Sequence, residues 1–290
     1  MAHNDMGTST ANALRRSLSQ PATLLMPNVW DVQTARIARE AKFPVIGTSS
    51  AAIAAMLGSE DAEGADREEM LHWAGRIVRA AAPAAVNVDL ESGYGLTVPE
   101  LIETVQALGC AGINLEDTDH EHDRLLSSED QANRLSSLAE GLAELPGHPV
   151  LTARVDPMLD VLHSDGRGDS PRTEAAVTEA IDRARAYLDA GADVVFPIGL
   201  HSPHQFRRFL AHVPAKRTAL LFPFTDPRIG VIRGLGVSRI SFGGTPREAT
   251  DTYLRRRLGR LGDRSSPARR LANIAGDAVG RLLRPKIARD

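Results

Sequence analysis

Asn87-Val88-Asp89-Leu90-Glu91-Ser92-Gly93-Tyr94-Gly95 reads as a buried strand that runs into a glycine turn. Side chains alternate along a strand, so Asp89 and Glu91 are expected on one face. Gly93 and Gly95 let the backbone turn sharply and approach a ligand closely. Two carboxylates on one face repel each other unless a cation or a proton lies between them. In a barrel of parallel strands, the strand end that enters such a loop belongs to the active-site rim.

The rest of the chain has the pattern such a strand needs around it. Apolar runs fall at Thr23–Met26, Val45–Thr48, Ala85–Leu90, Gly112–Leu115, Val150–Val155, Val194–Ile198, Thr218–Phe222 and Arg239–Phe242. Amphipathic stretches such as Arg67–Ala82, Val98–Leu108, Glu129–Leu145 and Glu174–Ala190 lie between them. Alternation of strand and helix signals a parallel sheet, because parallel strands need a crossover. Gly109 and Gly191 stand where helices are expected to end. Eight runs in 290 residues predict a (β/α)8 TIM-type barrel with a C-terminal helical extension. An open doubly wound sheet is the alternative, but Pro27-Asn28-Val29-Trp30-Asp31 is no phosphate-binding glycine loop. The expected organisation is a flexible segment over 1–20, a catalytic barrel over 21–262 and a basic helical tail over 263–290.

Two further strands point at the same rim. Gly112-Ile113-Asn114-Leu115-Glu116-Asp117 brings Glu116, with Asn114 on its face. Leu151-Thr152-Ala153-Arg154-Val155-Asp156 places Arg154 inward between Thr152 and Asp156. Hard oxygen donors without cysteine favour Mg²⁺, or Mn²⁺, over Zn²⁺. Arg154 offers a planar fork to a carboxylate or phosphonate. The competing reading is a structural ion-pair network. His120 and His122 stand between acids, as a general acid, a second metal site or a solvated loop. Trp30 and Tyr94 either cover a ligand or seal the rim. His163 and Ser164–Ser170 read as a surface insertion.

Composition narrows the partners. Net charge is −3, from 34 basic and 37 acidic residues, which gives no global reason to expect nucleic acid or an anionic membrane. The single cysteine, Cys110, rules out an intrachain disulfide and reads as a small packed residue. The start lacks a signal-peptide pattern and no run is long enough to span a membrane, so a cytoplasmic location is expected. The tail is basic, and Leu271, Ile274 and Leu282 keep roughly helical spacing.

The chain resembles the isocitrate lyase / phosphoenolpyruvate mutase superfamily, especially its bacterial phosphonomutase-like branch. The resemblance rests on Pro27–Asp31, Thr48-Ser49-Ser50-Ala51-Ala52-Ile53-Ala54, Val88–Gly95, Gly112–Asp117, Ala153-Arg154-Val155-Asp156 and Ala190-Gly191-Ala192-Asp193, in family order. It implies Asp89 as principal metal ligand, Glu91 and Glu116 as ligands directly or through water, and Asp61 as a further acid near the metal. It also implies Ser49, Ser50, Tyr94, Gly95 and Arg154 around a small anionic 2-oxo-acid-type substrate. A homo-oligomer, dimer or tetramer, using the segment after Pro246 is implied as well. The expected activity is a Mg²⁺-dependent lyase that cleaves a C–C bond through an enolate. The alternatives are a phosphonomutase or phosphonopyruvate hydrolase acting on a P–C bond, and a non-catalytic metabolite-binding barrel. Cysteine-using members carry their cysteine on the loop that here reads Asp117–Arg124, which has none. His120 and His122 are the nearest acids to replace it.

Overall fold

In a computed structural model, residues 2–159, 161 and 170–262 are described. Leu24–Met26 (β1) and Asn28–Val29 (β2) are one strand interrupted at Pro27, which has no N–H to give a ladder. Val45–Thr48 (β3), Ala85–Asp89 (β4) and Gly112–Leu115 (β5) follow. Thr118–Asp119 (β6) and Arg124–Leu125 (β7) form a separate antiparallel hairpin. Val150–Val155 (β8), Val194–Pro197 (β9), Ala219–Leu221 (β10) and Arg239–Ser241 (β11) complete the set. Pairing runs β2-β3-β4-β5-β8-β9 and β1-β11-β10, all parallel. A parallel bridge between Val195 and Thr218 joins the two sets. With β1 and β2 taken as one strand, the described residues make a closed (β/α)8 barrel, as the sequence predicts.

Asn28 fastens the seam where the first strand meets the last. Its Oδ1 accepts from the N–H groups of Phe242 (2.7 Å) and Gly243 (3.0 Å), and its Nδ2 donates to the Thr48 carbonyl at 2.7 Å.

The helices are Ala2–Ser19 (α1), Val32–Glu40 (α2), Ser50–Leu57 (α3), Arg67–Ala81 (α4), Val98–Leu108 (α5), Ser128–Ala143 (α6), Pro171–Asp189 (α7), Pro203–Leu210 (α8), Ile229–Arg233 (α9) and Thr245–Gly262 (α10). Their starts follow from local chemistry. Asp31, Thr97 and Ser202 build capping boxes. Pro99 sits in the first turn of α5, where an N–H would have no partner within the helix. Gly109 ends α5 in the left-handed conformation, as expected. Ile46, Val86, Val88, Ile113, Leu115, Leu151 and Ala153 face the helical layer and form the main core. The alternate residues Asn87, Asn114, Thr152 and Arg239 are also buried, so the barrel interior is polar at mid-height.

The expected flexible segment over 1–20 is corrected. Ala2–Ser19 is helical, and Ala11, Leu14 and Leu18 share a face at i, i+3 and i+7. Leu14 and Leu18 pack with Val45, Ala85, Ala111, Val150, Val194 and Ala219, residues at or beside the strand starts, so α1 plugs the N-terminal mouth of the barrel. Burial of each leucine contributes about 1.5–3 kcal/mol. Arg15 fixes the plug by pairing with Asp193 (2.6 Å) and with the His148 carbonyl. A Cβ on Gly112 would meet the Val150 carbonyl oxygen at 2.8 Å as well as Leu14 Cδ2 at 2.9 Å, and the backbone contact is the one that requires glycine. The stripe is hard to see in the sequence because polar residues such as Asn12 and Ser17 stand between its members.

Cys110 precedes β5 at this same end. It is 2% exposed, and burial pushes its thiol up to about 12. It is a packed residue about a strand length, roughly 15–20 Å, from the opposite rim.

The chain divides into two compact units, 1–247 and 248–290. Of the second, α10 is described up to Gly262; Tyr253, Leu254, Leu258 and Leu261 on it are exposed. The expected tail over 263–290, with Leu271, Ile274 and Leu282, lies outside the described residues, as do His163 and Ser164–Asp169. Among the described residues no helix is long and apolar enough to cross a membrane.

Candidate active site

The strand β4 ends at Asp89 rather than continuing to Glu91. Asp89 is held by three neighbours. Ser50 Oγ donates to Oδ2 at 3.1 Å, Asn114 Nδ2 reaches Oδ1 at 3.5 Å, and the Asp89 N–H donates to Thr48 Oγ1 at 2.8 Å. Glu91 has a left-handed backbone, φ +50°, and so does Tyr94, φ +55°. Such non-glycine residues are strained and gather at functional sites. The expectation that strand alternation aligns Asp89 with Glu91 is therefore corrected: the strand stops at Asp89, and the turn, not the pleat, sets where Glu91 stands. The turn is kept in place by Glu116 N–H donating to the Glu91 carbonyl at 2.9 Å.

A cavity of about 410 Å³ opens over these strand ends. Asp61, Glu91, Glu116, His120, Arg154 and Asp156 line it. Arg154 forms ion pairs with Glu116 and, through Nε at 2.8 Å, with Asp156. Thr118 Oγ1 donates to the other Asp156 oxygen at 2.9 Å. His120 Nε2 bonds the free side of Glu116. Behind them Asp117, fully buried, accepts from Tyr187 Oη (2.8 Å), Arg183 Nη1 (3.1 Å) and the Asp156 N–H (2.9 Å).

The acids are electrostatically frustrated. Burial, then Asp61 and Asp89, push Glu91 up to about 7. Burial and Asp89 raise Asp61, although the loop residue itself remains open to solvent at the cavity mouth. Burial raises Glu116 against the pull of Arg154. The bond to Glu116 raises His120.

Among the described residues no three His, Cys, Asp or Glu side chains form a cage for a cation. Mg²⁺ is ordinarily held by one or two carboxylates with water in its other positions. Asp89, with Asp61 and Glu91 near it, is such a hard-oxygen set, and their mutual repulsion is what a cation would relieve. The residues fit a hydrated Mg²⁺ or Mn²⁺.

Not every expected residue reaches the cavity. His122 is mostly exposed, pairs with Asp119 at 3.0 Å and does not line the cavity. Ser49 caps α3 by accepting from the Ala52 N–H at 3.3 Å, while its neighbour Ser50 meets Asp89. Tyr94 lies behind Glu91, donating its phenol to Oε1 at 3.0 Å. Gly95 serves the turn, with φ +70°. Glu63 carries no signal in the sequence, where nothing distinguishes it from Glu60 in an acidic loop, yet its backbone N–H donates to Glu91 Oε2 at 2.5 Å. Arg239, absent from the expected site residues, is a fully buried cation that donates to Asn114 Oδ1 at 3.1 Å. A charge inside an apolar run was a signal for it.

A closed parallel barrel with acids and an arginine gathered at its C-terminal strand ends defines a class, the α/β-barrel enzymes whose chemistry sits in the strand-to-helix loops. Residues 14–261 match the phosphoenolpyruvate phosphomutase family, and the chain belongs to it. It is 29% identical to an oxaloacetate decarboxylase of Rhodopseudomonas palustris strain HaA2, over 95% of this chain and 92% of the relative. It is 27% identical to 2-methylisocitrate lyase of Bacillus subtilis strain 168, over 74% and 68% of the two chains. A solved structure of a candidate phosphonomutase from Burkholderia cenocepacia J2315 superposes with a TM-score of 0.75 at 30% identity, covering 87% of this chain and 99% of that one. Lyases and mutases make up this superfamily, and the chain is an enzyme of that group.

Proposed function

We propose that this protein is a Mg²⁺-dependent lyase that breaks a C–C bond in a small 2-oxo-acid-related dicarboxylate, leaving an enolate. The observation that carries the reading is the cavity in which Arg154 faces Asp61, Glu91 and Glu116. Arg154 attracts a substrate carboxylate, whereas the acids repel it unless a cation intervenes. When bound, Mg²⁺ would supply charge balance and stabilise developing enolate charge. Asp89, Glu91, Glu116 and Asp61 would hold it. Glu116 and Asp156 both grip the Arg154 guanidinium at the cavity wall, and a fork fixed in this way would orient the substrate. His120, which lines the cavity and bonds Glu116, would return a proton to the carbanion carbon.

The hairpin narrows the reaction further. It carries no cysteine, and Cys110 lies at the other end of the barrel. Loss of CO₂ from an oxaloacetate-like substrate needs no base to strip a hydroxyl proton, only a donor for the enolate. That demand matches what the cavity offers, and an oxaloacetate decarboxylase is among the relatives. The test is pyruvate release from oxaloacetate with Mg²⁺, measured against the metal-only background, alongside 2-methylisocitrate and phosphonopyruvate. Turnover of oxaloacetate is expected, with loss of both turnover and calorimetric Mg²⁺ binding in Asp89→Ala. Unchanged Mg²⁺ affinity in Asp89→Ala would reject the metal assignment; turnover of phosphonopyruvate alone would give the P–C reading.

We also infer a homo-oligomer that uses the segment after Pro246. Tyr253, Leu254, Leu258 and Leu261 expose apolar surface on α10, and Leu254, Leu258 and Leu261 form a stripe at i, i+4 and i+7. Light scattering at micromolar concentration is expected to give a dimer or tetramer, and a monomer would count against this.

A further inference from the structure

The loop between α3 and α4 carries Asp61 and Ala62 into the cavity wall. Nothing in its own sequence fixes its position: Ser59-Glu60-Asp61-Ala62-Glu63-Gly64 is polar and short of apolar anchors. Two successive non-glycine residues in it, Ala62 (φ +64°) and Glu63 (φ +58°), hold left-handed backbone conformations. Such conformations are strained and persist only where neighbours over-determine them.

Glu63 is the neighbour that does so. Its carboxylate Oε1 accepts from Ser92 Oγ at 2.5 Å and from the Tyr94 N–H at 2.7 Å. Its own backbone N–H donates to Glu91 Oε2 at 2.5 Å. One residue thus bonds the Glu91–Tyr94 turn three times, and both joined segments are themselves strained. Carboxylate acceptors make such bonds roughly twice as strong as neutral ones. Asp61 is two residues away on the same loop, and its carboxyl faces Asp89 and Ser50.

We propose that Glu63 is a positioning residue: it latches the Asp61 loop onto the Glu91–Gly95 turn and so sets where Asp61 stands against the cavity. This rests on the reading of the site as a metal-assisted active site, but the latch itself is a structural claim that can fail separately. The latch acts through geometry, and one oxygen does the accepting. An amide carbonyl at that place therefore restores it, whereas a methyl group does not.

The experiment compares Glu63→Ala, Glu63→Gln and Ser92→Ala in the full chain. Hydrogen exchange of residues 58–66 reads the latch without reference to activity. Calorimetric Mg²⁺ binding and steady-state kinetics with oxaloacetate read its consequence. In Glu63→Ala, amides 58–66 are expected to exchange faster, Mg²⁺ affinity and kcat to fall by about 10- to 100-fold as for other supports of a metal site, and KM to change far less. Glu63→Gln is expected to recover most of each loss, and Ser92→Ala to show a smaller loss of the same kind. Unchanged exchange in Glu63→Ala overturns the latch whatever the enzyme's reaction is. Faster exchange with unchanged Mg²⁺ affinity overturns the positioning role. A wild type that binds no Mg²⁺ and turns over no oxaloacetate removes the functional reading and the positioning role with it, while exchange still decides the latch.

Discussion

Arg154→Met is expected to lower kcat/KM for the dicarboxylate by about 30-fold to several-thousand-fold, the equivalent of roughly 2–5 kcal/mol for cutting one partner out of a buried charge pair. Arg154 divides its fork between Glu116 and Asp156. Its loss removes the cation that faces the substrate and leaves two acids 1% and 0% exposed without their partner. Arg154→Lys is expected to recover little, because an ammonium cannot span two carboxylates with fixed planar geometry. Steady-state kinetics on both variants checks this. A Lys variant within about threefold of the wild type would show that charge alone, not the fork, serves the reaction.

Asp117→Ala is expected to be the most destabilising single change near the site. It takes away the acceptor of the Tyr187 hydroxyl and of the Asp156 N–H and the charge partner of Arg183, all buried. Breaking a buried pair in this way costs about 3–5 kcal/mol. For a domain of this size that corresponds to a fall in Tm on the order of ten degrees. Asp117→Asn keeps an acceptor for Tyr187 and is expected to lose less. Calorimetric unfolding measures both, and an Asp117→Ala Tm within about two degrees of the wild type would remove Asp117 from any structural role.

The barrel was legible because its signals are local and periodic. Each apolar run matches a strand, and α5 begins and ends where its Thr97 cap and Gly109 stop place it. The convergence of Glu116 and Arg154 was legible because neighbouring parallel strands hold their ends together. What escaped depended on contacts between distant segments. Glu63 meets Ser92 across 29 residues, and its bond leaves no trace in the composition of either loop. His120 and His122 look equivalent in sequence, yet the short β6–β7 hairpin turns one toward Glu116 and the other toward solvent. The N-terminal helix escaped for another reason: a three-residue stripe in a polar segment acquires meaning only against the open barrel mouth it covers.

The Asn28 seam has a consequence for how the chain comes off the ribosome. The partners it grips, Phe242 and Gly243, are synthesised 214 and 215 residues after it. At about 5–20 residues per second, that interval lasts on the order of ten to forty seconds. Throughout it, Leu24–Met26 presents an unpaired strand edge whose eventual partner does not yet exist. Closure is therefore a late event in the life of each nascent molecule, and the interval before it is when a chaperone has most to protect.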